Sequence, residues 1–134
     1  MCNLPLTPGA YLKMRRCAAL LSVADVAAKL ATAPRLAEHA RAELIELIEA
    51  EAAPASFSTL AAFSNVYSFD FDVLAALERI KLSADIPMPQ LCRFCACSTY
   101  DPCVIGPGHI CASTCSWAEY DLCSSCATPA QAPA

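Results

Sequence analysis

Glycine is nearly absent: there are 3 in 134 residues, and Gly9 stands alone before Gly106. This scarcity excludes a glycine-rich phosphate loop and leaves few positions for tight turns. Charge is also sparse, at 16% Asp, Glu, Lys and Arg, against about 25% in an average soluble protein. The formal net charge of -4 and a pI of about 5.0 exclude a generally basic, nucleic-acid-coating protein, although not a local basic patch. With 2 histidines and 1 tryptophan, the chain holds no His-Glu-x-x-His motif, no deaminase-type His-x-Glu ahead of Pro-Cys-x-x-Cys, and no Ser-His-Asp elbow. We therefore read it as a non-enzyme, with no catalytic residue assigned. A mean hydropathy of +0.43 notwithstanding, no uncharged apolar run approaches the ~18 residues that signal a membrane span. Lys13, Arg15 and Arg16 interrupt the first apolar stretch, so no signal-peptide pattern forms. The expectation is a soluble cytoplasmic protein without a membrane partner. The length is too short for a ~250-residue barrel and fits one ordinary domain or two very small ones.

Apolar residues and cysteine, by contrast, are plentiful. Apolar side chains make up 57% of the chain, enough to build a core, and there are 10 cysteines. Cys2 and Cys17 stand alone; the other eight crowd into residues 92–126. Such density implies either disulfides or metal. The absence of an export signal favours thiolates held by metal.

Helical periodicity occupies the first part of the chain. Thr7-Pro8 opens a first helix, Thr as cap and Pro preorganised for the first turn, with Tyr11, Met14, Ala18 and Leu21 on one face. Ser22-x-x-Asp25 resembles a capping box and leads into the stripe Val23, Val26, Ala27, Leu30. Pro34 marks a third helix with the stripe Leu36, Ala40, Leu44, Leu47, Ile48 and an acidic remainder, ended by Pro54. Ser56 caps a short fourth helix holding Phe57, Leu60 and Ala61. Asp70 caps a fifth, with Val73, Leu74, Leu77 and Ile80 inward. Pro87-Met88-Pro89 then breaks the pattern. The predicted layout is a lead-in over 1–6, a helical domain over 7–83, a Pro-rich linker over 84–90, a cysteine module over 91–127 and a tail over 128–134. The fold class is all-α, five helices with a small C-terminal cysteine-rich zinc knuckle.

Thr7-Pro8-Gly9-Ala10-Tyr11-Leu12-Lys13-Met14-Arg15-Arg16, then Leu21-Ser22-Val23-Ala24-Asp25-Val26-Ala27, and later Leu47–Pro54 with Leu60, resemble a Cro/C1-type, phage-repressor-like helix-turn-helix domain. The resemblance spans about residues 7–82. It implies a five-helix regulator that reads double-stranded DNA with one helix in the major groove, and Lys13, Arg15, Arg16, Arg35 and Arg41 are the candidate contacts. Three features depart from it. A long glycine-free stretch, 31–41, separates the second and third helices. Glu43 and Glu46 occupy the base-reading helix, where carboxylates repel phosphate. Val23 stands where a polar residue usually follows the Ser cap. A protein-interaction adaptor is the alternative, with Glu43, Glu46 and Glu49 facing a host or phage partner.

Cys92-x-x-Cys95 and Cys123-x-x-Cys126 have the spacing of two knuckles that together give one ion four thiolates. Cys97, Cys103, Cys111 and Cys115 offer a second Zn2+ site, with His109 a weaker candidate. Thiolates shared in a binuclear cluster, free buried cysteines, a disulfide, or an iron–sulfur centre stay open beside it. Cys92-Arg93-Phe94-Cys95-Ala96-Cys97-Ser98, Asp101-Pro102-Cys103, Cys115-Ser116-Trp117 and Asp121-Leu122-Cys123-Ser124-Ser125-Cys126 together resemble a cysteine-rich motif of uncharacterised bacteriophage and prophage proteins, which usually has Gly where Ala96 stands. That resemblance implies a phage origin and a bacterial host cell but brings no activity with it. Phe94, Trp117 and Tyr120 are expected to pack around the metal.

Overall fold

The computed structural model describes residues 6–105 and 113–127. Five helices come first: α1 (Pro8–Ala18), α2 (Val23–Lys29), α3 (Glu38–Glu49), α4 (Phe57–Ser64) and α5 (Phe71–Lys81). Two small antiparallel hairpins follow, β1 (Val104–Ile105) with β2 (Ser113–Thr114), and β3 (Trp117–Glu119) with β4 (Leu122–Cys123). The chain is thus mostly helical, ending in a cysteine-rich region.

Four helices start where their caps predict. Thr7 accepts the Ala10 amide at 3.1 Å, Ser56 accepts Thr59 at 3.1 Å, and Asp70 accepts Asp72 at 2.9 Å. Ser22 and Asp25 exchange reciprocal bonds of 3.0 and 2.9 Å, a complete capping box. These bonds to the Ser22 amide and hydroxyl hold the Asp25 carboxyl below its ordinary pKa. α3 differs from its prediction. It begins at Glu38 behind Ala37, which has no side chain to cap with, and Pro34 lies in the connection after a cis Ala33–Pro34 bond. Its core face is Arg41, Ile45 and Ile48; Leu36, Ala40 and Leu44 are only half-buried and Leu47 is exposed. The helix is rotated so that a long cation faces inward.

That rotation has a physical cause. Arg41 Nε donates to the Ala27 carbonyl at 2.6 Å and Nη1 to the Leu36 carbonyl at 2.8 Å. A guanidinium thereby satisfies the last turn of α2, at the negative end of its dipole, and ties down the α2–α3 connection. α1 behaves in the same way. It buries Tyr11, Leu12, Arg15 and Arg16, while Met14 and Leu21 are half-buried and Ala18 is exposed. Arg16 forks onto Glu49 of α3 at 2.7 and 2.8 Å, with side-chain exposures of 8% and 6%. Its Nη1 also donates to the Leu21 carbonyl at 3.0 Å. Glu49 holds the Arg16 pKa above its ordinary value against burial, which lowers it.

Gly9 permits this crossing of α1 over α3. A Cβ there would collide with the carbonyl oxygens of Ile48 and Glu49, and the Gly9 amide donates to Glu51 at 2.6 Å. The remaining core is aliphatic and aromatic: Tyr11, Val26, Leu30, Ile45, Phe63, Tyr67, Phe69, Val73, Leu74 and Leu77. The rings of Phe63, Tyr67, Phe69, Phe71 and Phe57 follow one another at centroid spacings between 4.9 and 6.2 Å. With glycine so scarce, Leu20, Glu51 and Ser83 adopt positive φ just beyond the ends of α1, α3 and α5, the left-handed position where glycine is usual.

The cysteine region packs directly on the helices despite the prolines before it. Ala96 is fully buried within the helical core, and Leu91 packs against that core. Arg15 bridges the two parts: Nη1 donates to the Cys95 carbonyl at 2.9 Å, Nε to the Ser68 carbonyl at 3.3 Å, and Nη2 lies 3.1 Å from the Asp101 carboxylate. Ser98 adds a bond to Asp70 at 3.1 Å. Asp70 thus caps α5 with one oxygen and holds the module with the other.

Removing one partner of a buried ion pair strands the other charge, at a cost of about 3–5 kcal/mol. Glu49→Ala is therefore expected to lower the urea midpoint by that equivalent, with a much smaller loss for Glu43→Ala on the exposed face of the same helix.

Candidate metal centre

Two tight turns and two hairpins deliver seven sulfurs to one place. In the first turn, the Ala96 amide bonds to the Cys92 carbonyl at 2.8 Å and the Cys92 amide to the Cys97 carbonyl at 3.1 Å. Ala96 has φ 59, which explains why glycine suits this position; here its methyl group fills the core instead. In the second turn, the Ala127 amide bonds to the Cys123 carbonyl at 3.0 Å. The β1–β2 hairpin sets Cys103 beside Cys115, the Cys115 amide bonding to the Cys103 carbonyl at 2.9 Å and the Cys103 amide pointing at the Cys115 sulfur at 3.3 Å. Arg93, whose amide bonds to the Asp121 carbonyl at 2.8 Å, links the two turns. Its guanidinium pairs with Glu119 and Asp121.

Cys92, Cys97 and Cys123 are buried at the centre, and Cys95, Cys103, Cys115, Cys126, Trp117 and Leu122 pack around them. The sulfurs of Cys95 and Cys103 are 3.6 Å apart; Cys95 and Cys123, and Cys97 and Cys115, are each 3.8 Å apart. A disulfide needs about 2.05 Å, so these thiols are not bonded to one another. A tetrahedron of sulfurs at the ~2.3 Å Zn–S distance has edges of about 3.8 Å. The separations therefore fit thiolates gathered round a cation of zinc's size.

Two quartets have all four sulfurs within 4.8 Å of one another: Cys92, Cys95, Cys97, Cys123 and Cys97, Cys103, Cys115, Cys123. The grouping differs from the one that spacing predicts. Cys97 enters the first quartet rather than only the second, and Cys123 enters both. Cys126 lies against Cys123, Cys92 and Cys95 without belonging to either quartet. Cys111 and His109 lie outside the described residues. Of the aromatic residues expected around the metal, Trp117 is there, with Nε1 donating to Thr99 at 3.4 Å. Phe94 and Tyr120 are exposed, Phe94 beneath the Arg93 guanidinium at 5.2 Å. Cys17 is exposed and remote in sequence from the cluster.

The thiols differ in acidity for visible reasons. Burial raises Cys92, yet the amides of Cys123, Cys95 and Phe94 outweigh it and hold its pKa below the ordinary value. Burial likewise opposes ionisation of Cys123, but the Cys126 amide and neighbouring thiols bring it down to about 6. Burial pushes Cys103 up to about 12 and also raises Cys95, Cys97 and Cys126. Backbone amides thus favour the charged form at Cys92 and Cys123, while burial opposes it at Cys95, Cys97, Cys103 and Cys126.

Of the five cations expected to meet DNA, Arg15, Arg16 and Arg41 are buried on internal partners. Lys13 and Arg35 are exposed. Of the three glutamates in the adaptor reading, Glu43 and Glu46 are exposed, while Glu49 is consumed by Arg16. Residue spacing held a signal for the arginines: Arg15 and Arg16 follow Tyr11 and Leu12 by four, so they share the core face. No family model matches the chain, and neither a curated protein nor a solved structure matches it. Among the described residues, no helix is long and apolar enough to cross a membrane.

Trp117, the sole tryptophan, reports on the cluster. Chelation of the zinc-loaded, reduced protein is expected to change its fluorescence strongly while far-UV circular dichroism keeps most of its helical signal. The helical core is built of apolar side chains, whereas the module is held by its ligands.

Proposed function

We propose that the chain is a non-enzymatic adaptor, in which a zinc-organised cysteine module is fixed to a repressor-like helical scaffold that binds a cationic protein partner rather than DNA. The observation that carries this reading is the fate of the arginines. Arg15, Arg16 and Arg41 satisfy carbonyls and carboxylates inside the fold, whereas α3, the counterpart of a reading helix, exposes Glu38, Glu43 and Glu46. Phosphate contacts supply most of the affinity of DNA binders, and an acidic helix opposes them. The same face complements a basic surface on a protein.

A second face supports a binding role. A concavity of about 730 Å³ between α1, the α3–α4 connection, α4 and α5 is lined by Leu12, Phe57, Leu60, Phe71 and Leu74, with Glu51, Asp72 and Glu78 against one cation, Lys81, which pairs with Glu51. An apolar floor with acidic residues suits an amphipathic segment bearing Lys or Arg, in keeping with the acidic α3. The module would act structurally: four thiolates close a zinc's coordination and leave no open position for substrate. A DNA-binding regulator is the second reading, resting on exposed Lys13 and Arg35 and on the resemblance of the helical region.

Duplex binding by the zinc-loaded protein across a salt series separates the two. The adaptor reading expects no binding to random or genomic duplex at low salt, and loss of a co-purifying native partner on Glu43→Lys with Glu46→Lys. Sequence-specific binding whose log–log slope counts phosphates at ~0.9 each would sink it in favour of the regulator.

A further inference from the structure

We infer that the cysteine cluster is a single binuclear metal centre, in which Cys97 and Cys123 each bridge two divalent, thiophilic ions. The inference rests on the zinc-module reading above and specifies its stoichiometry and connectivity. Two independent four-thiolate sites require eight sulfurs. Among the described residues the two quartets contain six between them, because Cys97 and Cys123 belong to both, and Cys126 packs against the first without joining it. Cys92 and Cys95 complete the first ion's shell; Cys103 and Cys115 complete the second's.

Both shared sulfurs are among the three buried ones. Cys97 and Cys123 are each 1% exposed, as is Cys92, whereas Cys95, Cys103 and Cys115 are more open. An anion removed from water in this way requires close cations, and a bridging sulfur has two. Sharing also halves the formal negative charge per ion relative to two separate sites, which suits a cluster seated against an apolar core. Sulfur separations run continuously across both quartets: 3.8 Å from Cys97 to Cys115, 3.8 Å from Cys123 to Cys95, and 3.6 Å from Cys95 to Cys103. Cys95 and Cys103 belong to different quartets, so their contact leaves no insulating layer between the two shells. A cleft of about 120 Å³ lined by Cys97, Cys115, Cys123 and Trp117 gives access to the second quartet, a route for an ion to enter after the first is in place.

The test uses the full reduced chain loaded with cadmium-113 as a zinc surrogate, with bound metal measured by elemental analysis. Two ions per chain are expected, giving two resonances split by coupling to each other through the shared sulfurs. Cys123→Ser, which leaves Cys97 as the one bridge, is expected to change the coupling and reduce the bound metal below two ions, and Cys97→Ser with Cys123→Ser to abolish the coupling, while Cys17→Ser leaves both intact. One ion per chain, or two resonances without mutual coupling, overturns the bridged centre and leaves the zinc-module reading standing. No bound metal in the wild-type chain overturns both.

Discussion

Arg15 holds the two parts of the chain together. It leaves the buried face of α1 and reaches main-chain oxygen at Ser68 and Cys95, with Asp101 beside it. These three partners lie in different segments: the entry to α5, the first cysteine turn and the loop leading to β1. One guanidinium therefore fixes the orientation of the knuckle against the bundle, and it does so with planar, directional donors. Arg16 and Arg41 do comparable work inside the bundle, joining α1 to α3 and α2 to α3. Buried ion pairs add little net stability against an apolar alternative, yet leaving one half-paired is costly.

The cysteine module has little else to hold it. Its strands are two or three residues long, and an isolated hairpin of that size is marginal in water. Phe94, Tyr100, Val104 and Tyr120 are exposed rather than packed inside, so the interior is made of sulfur, Trp117 and Leu122. Amides directed at Cys92 and Cys123 lower their pKa values, while burial pushes Cys95, Cys97, Cys103 and Cys126 the other way. Metal ligands must be deprotonated, so an ion held here would couple its binding to the order of the module. Through Cys95, the same order extends to Arg15 and the helices.

Local signals in the sequence were legible where the chemistry is local. Thr7, Ser22, Ser56 and Asp70 cap the helices that their positions predict, because a cap depends only on residues within one turn. Of the inward sets that apolar period predicts, Val26, Ala27, Leu30, Val73, Leu74 and Leu77 are buried and Val23 and Ile80 half-buried. The faces of α1 and α3 depart from that period, because Arg15, Arg16 and Arg41 occupy core positions and a hydrophobic pattern assigns arginine to the surface. Pro34 misled for a similar reason: it is preorganised for a first turn, but the tertiary bonds of Arg41 fix the connection in which it sits. At the candidate metal centre, six of the cysteines that spacing singled out, Cys92, Cys95, Cys97, Cys103, Cys115 and Cys123, fall in the two quartets, and Cys126 does not. Spacing could not reveal which sulfurs are shared, since Cys97 and Cys123 meet only when the first turn closes over the second hairpin.

The same competition for cations bears on function. The chain has nine Lys and Arg. Three are buried among internal acceptors, and Lys81 and Arg93 pair with Glu51, Glu119 and Asp121. The other four, Lys13, Lys29, Arg35 and Arg79, are exposed but come from α1, α2, the α2–α3 connection and α5. A reading helix needs cations of its own or immediately beside it, and α3 turns its one arginine inward. Beside α3, the exposed cation is Arg35 in the connection before it. A protein that uses the scaffold to orient an acidic helix and a metal-bound knuckle needs the arginines where they are, because both surfaces are positioned by them.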